Sequence, residues 1–126
     1  MAMTLVALDA LLREHVPDVS RNWQMVMEDS ASPLPLETRR GLALASALTL
    51  RSTSLVTAMK AAGEAWLAAS ARKDAMTTAA LMAMNNVFYR FRHDVPQPGY
   101  TTTPARLRMT GMLQPAGTKA DVDATI

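Results

Sequence analysis

The chain has 126 residues, enough for one compact domain that buries a core without disulfides or a structural metal. Apolar residues make up 49% and charged residues 19%, a balance that excludes a disordered chain. There is no cysteine, so disulfides, thiol catalysis and thiolate metal sites are excluded within these residues, and the net charge is only +2.

Ten methionines, abundant alanine and an aromatic content of 5% point to helices packed through small side chains, with Met filling the gaps. Strand-type alternation is nearly absent, so the expected fold is all-α. The opening MAMTLVALDALLREH has no basic leader and carries Asp9 inside its apolar run, which is not the pattern of a signal peptide. No window approaches the roughly 18 apolar residues of a membrane span, and the expected location is the cytoplasm.

In chain order, Thr4 can cap a helix through His15, with Leu5, Leu8, Leu11 and Leu12 on one face. Pro17 and Asp18 mark a restart, and a second helix is expected over 19–28, presenting Trp23, Val26 and Met27 to the core. SASPLP at 30–35 is a loop. A third helix follows over 36–51, with Leu42, Ala45, Leu48 and Thr49 inward and Gly41 allowing close approach. Ser52, Thr53 and Ser54 break it and cap a fourth helix over 55–69, whose apolar positions are Leu55, Ala58, Met59, Ala62, Trp66 and Ala69.

Ser70 is the expected cap of a long helix over 71–93. Met76, Ala80, Ala83, Val87 and Phe91 form one apolar stripe, and Leu81, Met84 and Phe88 another. A helix apolar nearly all round belongs in a bundle centre or an oligomer interface, and this one is expected to be central. Asn85 and Asn86 interrupt it, and a buried amide needs a partner, so at least one should bond to a neighbour. Pro96, Pro98 and Gly99 end the helix, 100–104 is a polar connection, and 105–113 a short helix. Pro115 and Gly117 break the chain again, and Lys119 opens a last helix with Asp121 as a possible cap, too near Ile126 to complete a turn beyond it.

Chemical constellations are sparse. His15 and His93 have no second His or carboxylate at helical ligand spacing, so no metal site is expected, and the neighbours Glu14–His15 and His93–Asp94 should point apart. No nucleophile elbow, P-loop or dinucleotide fingerprint occurs, and no cofactor is expected. Between Arg72 and Arg108 six basic residues face two acids. This excess, with Tyr89–His93, could attract nucleic acid, but a solvated basic face explains it and no nucleic-acid partner is expected.

The string AALMAMNNVFYRFRHDV at 79–95 is closely similar to the central segment of the AhpD family of alkylhydroperoxidases. Leu5 to Asp18, the GLALASA run at 41–47, RLRM at 106–109 and residues 115–121 resemble other family segments in the same order. The resemblance covers nearly all of this chain and the N-terminal two-thirds of a family member. It implies an all-helical homo-oligomer, typically a trimer. The family is an antioxidant thiol peroxidase that passes electrons from lipoyl groups to a partner peroxiredoxin. Its chemistry rests on a C-x-x-C pair at a helix N-terminus, with a His and a Glu as proton relay, an arrangement that favours the thiolate. By this resemblance the relay acid falls near Asp123, while the C-x-x-C helix and its His belong after Ile126. Met cannot form a thiolate or a disulfide in their place. The expectation is therefore a single AhpD-like helical domain over 1–126 that lacks the catalytic segment and is inactive alone. The alternative is a non-catalytic interaction or oligomerisation module.

Overall fold

The computed structural model describes residues 3–95 and 97–126. They form an all-α bundle: α1 (Leu5–His15), α2 (Pro17–Glu28), α3 (Leu36–Thr49), α4 (Thr53–Trp66), α5 (Ala69–Asp94), α6 (Pro98–Thr102), α7 (Thr110–Leu113) and α8 (Lys119–Thr125). The expected loop at 30–35 separates α2 from α3, while Pro96 lies outside the described residues.

Local chemistry sets most helix starts. The Thr4 hydroxyl accepts the Ala7 N–H, and the Ser52 hydroxyl accepts the Leu55 N–H, as expected of caps. α2 begins two residues earlier than expected, because Pro17 occupies its first position, where the missing N–H costs nothing. Ser70 is not a cap. α4 already ends at Trp66, and Leu67 turns extended, so α5 starts at Ala69 with Ser70 inside it. Arg72 fastens that corner by donating to Leu67 O at 2.7 Å.

Two helices are shorter than expected because a non-glycine residue enters the left-handed region. Arg51 has φ 54°, which stops α3 at Thr49, and Arg106 has φ 51°, which confines the expected 105–113 helix to α7. That conformation costs an L-residue about 1 kcal/mol, and glycine avoids it. Arg51→Gly is accordingly expected to stabilise the chain by about 0.5–1 kcal/mol in urea denaturation, a shift the same change at helical Arg40 should reverse in sign.

α3 packs against α2, α4, α5 and α8, and α1 lies on α2. The core joins Leu44, Ala45 and Ala47 of α3, Met59 of α4, Leu67, and Ala75 and Ala79 of α5. Alanines on both α3 and α5 let these backbones approach closely, with Trp23, Leu55 and Trp66 packed around them. Of the inward positions expected on α3, Ala45 is buried, but Thr49 is exposed, and Leu44 and Ala47 fill the core instead. Ala69 is likewise exposed, since it stands beyond the end of α4. On α2 the buried apolar residue is Met27, with Val26 exposed and Trp23 half-buried.

The long helix is present, but its burial is confined to its first half. Asp74, Ala75, Thr78 and Ala79 face α3 and α8, whereas Met76, Ala80, Ala83, Val87 and Phe91 form an exposed stripe. Val87 is 71% exposed. Asn85 is half-buried and Asn86 exposed, so in the single chain neither pays the desolvation penalty that would demand a partner. α6 forms where a polar connection was expected. Arg92 holds it by donating to Thr101 O, and Phe91 packs on Tyr100 with ring centroids 5.5 Å apart.

Candidate functional site

Two features dominate the surface: the seat of α8 and an apolar groove on the other side of α3. The seat is built on Asp74. This carboxylate is buried, and its two oxygens accept the successive N–H groups of Ala116 and Gly117 at 2.7 and 2.6 Å. Gly117 has no side chain because a Cβ there would stand 3.0 Å from Asp74 Oδ2.

Beyond that turn, Thr118 caps α8 by accepting the Asp121 N–H, while the Asp121 carboxylate accepts from the Thr118 and Thr38 hydroxyls. Asp121 is thus the third residue of α8 and not its cap. The helix therefore starts early enough to run for seven residues. Val122 is almost wholly buried, and Thr125 donates to Thr78 Oγ1 at 3.3 Å. Asp74 and Asp121, the two carboxylates that build this seat, already accept from protein donors. The arrangement positions α8.

Asp123 sits on the outer side of α8, half exposed, and pairs with Lys119 Nζ at 2.6 Å one turn earlier. His93 Nδ1 lies 3.1 Å from Asp94 Oδ1, contrary to the expectation that these neighbours diverge; they meet at the last turn of α5, where Val95 has already left the helix. That contact, followed by Arg90, holds the Asp94 carboxyl below the usual carboxylate range. Arg92 stands over both Phe88 and Tyr89, so Arg90 and Arg92 are engaged with an acid, a carbonyl and rings of their own chain. Among the described residues no group of three or more His, Asp or Glu side chains could hold a metal ion.

The groove lies between α1–α2 and α3–α4 and has a volume of about 1040 Å³. Leu8, Leu12, Trp23, Leu42, Leu55 and Met59 contribute its apolar walls. Arg39 also lines it, although only 9% of that residue is exposed. Its Nη1 donates to Val26 O at 2.7 Å, and its buried Nε has no partner among the described residues. Neither Arg39 nor Asp74 stood out in the sequence. Each neighbours another charged residue and passes for solvated surface; for Asp74 the signal available was the small-residue stripe Ala71, Ala75, Thr78 and Ala79, whose register places it inside.

At the groove's edge Asp9 joins α1 to α2. Arg13 reaches it at 2.6 Å and buried Ser20 donates to it at 2.7 Å. The hydrogen bonds from Arg13 and then Ser20 hold its carboxyl below the usual range. A depressed carboxyl pKa adds stability that is fully present above the unfolded value and is lost as pH falls through the folded one. Acidification below the ordinary carboxylate range is therefore expected to loosen α1 first, visible as a change in Trp23 fluorescence that Asp9→Asn shifts out of that pH window.

The chain is 47% identical over 116 residues to an alkyl hydroperoxide reductase AhpD of Anaeromyxobacter sp. (strain Fw109-5), covering 89% of this chain and 62% of that protein. It is 40% identical over 121 residues to the AhpD of Anaeromyxobacter dehalogenans (strain 2CP-C), covering 94% and 64% respectively. The chain belongs to the AhpD-like family. A Bradyrhizobium sp. (strain BTAi1) AhpD, 40% identical over 114 residues, agrees, with 89% and 63% coverage. This AhpD-like chain spans less than two thirds of the length of these relatives. No protein-family model matches it. No helix of the described residues is long and apolar enough to cross a membrane.

Proposed function

We propose that these 126 residues form the non-catalytic helical scaffold of an AhpD-like protein and do not reduce peroxides by themselves. The observation that carries this reading is a family sequence over about nine tenths of the chain that contains no cysteine. The relatives are named for alkyl hydroperoxide reduction, and thiol chemistry requires a thiolate that nothing here can supply. The α8 seat supports it from the other side: Asp74 and Asp121 are committed to holding that helix in place. The family's electron partners, a lipoyl-bearing protein and a peroxiredoxin, then engage residues other than these, in the cytoplasm. The pure chain, given cumene hydroperoxide and dihydrolipoamide, is expected to consume peroxide no faster than buffer; a clear enzymatic rate would overturn the proposal.

A second reading, self-association, has its own observation. Met76, Met84, Val87 and Phe91 stay exposed along α5, an apolar surface of the kind that monomers seldom leave bare. It supports the homo-oligomer, a trimer, that the family resemblance implies. Sedimentation should show an oligomer that Val87→Glu dissociates, and a monodisperse wild-type monomer would remove this reading.

A further inference from the structure

We infer that the groove between α1–α2 and α3–α4 is the seat of an amphipathic polypeptide segment that brings a carboxylate to Arg39, and that its source is the portion of AhpD-family proteins that this chain does not match. The inference rests on the family reading above and adds the partner and the point of recognition.

Three observations lead to it. The first is the state of Arg39. A guanidinium is always charged, and one buried without an acid is costly. Arg39 is nine-tenths buried; among the described residues its one hydrogen bond goes to a backbone carbonyl and its Nε has no partner. The other charged residues lining the groove do not answer it. Asp9 is neutralised by Arg13 and bonded to Ser20, and Asp29 is occupied with the Ala31 N–H at 2.8 Å. Among the described residues the groove therefore presents one buried cation without an acid, and an incoming carboxylate would meet it in a setting where a charged hydrogen bond is strong.

The second is shape. A small-molecule pocket encloses most of its ligand between buried walls. Here Val19, Met25, Val26 and Leu50 line the groove yet remain half or more exposed, and the volume is near 1040 Å³. So broad an apolar opening is covered by the face of a helix, not filled by a single acyl chain. The third is length. The relatives carry more than a third of their chain beyond what these residues match, which is ample for such a segment.

The test fuses to Ile126 the part of the Fw109-5 relative that this chain does not match, in a Trp66→Phe background so that Trp23 is the only tryptophan of the first 126 residues. Acrylamide quenching of Trp23 and hydrogen exchange in α1–α3 are compared with the 126-residue chain. Docking is expected to protect Trp23 and the groove amides. Arg39→Met is expected to weaken that protection about tenfold, the factor a hydrogen bond to a charged group carries. The same change should leave the unfused chain folded and no less stable, since it removes an unpaired buried charge. Trp23 equally quenched in both proteins would overturn the proposal, as would protection that ignores Arg39→Met. Protection of the unfused chain by micromolar dodecanoate would reassign the groove to a small amphiphile. Protection that grows with concentration of the unfused chain would reassign it to a second copy. Each of those two results also overturns it. None of these readings uses peroxide turnover, so failure here leaves the scaffold proposal to be judged by its own assay.

Discussion

Replacing Asp74 by alanine is expected to cost about 3 kcal/mol and to release α8 from the bundle. The carboxylate accepts two N–H groups at 2.7 and 2.6 Å, and hydrogen bonds to a charged acceptor contribute about 1.5–3 kcal/mol each, less than additively when they share one group. Alanine would leave both N–H groups without their carboxylate acceptor at a partly buried site. The loss should be uneven. Hydrogen exchange at Ala116, Gly117 and through α8 should approach that of an unfolded chain, while α3 and α4 keep most of their protection. Asp74→Asn, which keeps one acceptor oxygen, should fall between. A loss under about 1 kcal/mol by urea denaturation would show that Val122 and the Thr38–Asp121 bond suffice to hold α8.

Leu44→Ala is expected to cost about 3–4 kcal/mol, and globally. Leu44 is 2% exposed and packs where α3 meets α4, with its Cδ2 only 3.5 Å from the point a Cβ on Gly63 would occupy. Removing it opens a cavity among Ala45, Met59 and Ala75 that alanines cannot collapse to fill. Here both probes of folding, far-UV CD and tryptophan fluorescence, should move together to lower urea. Val87→Ala on α5, exposed as it is, should change the stability of the single chain by no more than about 0.5 kcal/mol.

The elements legible in the sequence are those fixed by neighbouring residues. Thr4 and Ser52 cap as their side chains dictate, Pro17 restarts a helix, and the prolines between 33 and 35 force a loop. What failed was the choice of face. α5 is Ala, Met and Thr around most of its first half, so helical spacing supports several stripes equally, and the buried one is decided by α3 and α8, distant in sequence. Adjacent arginines show the same limit. Arg39 turns inward to Val26 O while Arg40 stacks on Trp66 at 5.3 Å, and nothing local separates them. The left-handed turns at Arg51 and Arg106 were hidden because glycine, their usual signal, is absent from both. Of the candidate residues, Asp123 could be named only through family resemblance, since no spacing in this chain marks it.

The bonds that seat α8 join residues far apart along the chain. Asp74 to Ala116 spans 42 positions and Thr38 to Asp121 spans 83, whereas α3, α4 and α5 meet their neighbours across short turns. Closing long loops costs entropy before any contact repays it, so the three middle helices should assemble first and α8 should dock last. During synthesis the α3–α5 core can therefore form while residues 110–126 are still in the ribosome, with Asp74 waiting open to water. In kinetic terms, Asp74 belongs to the late, native side of the barrier: its loss should quicken unfolding and leave the folding rate nearly untouched.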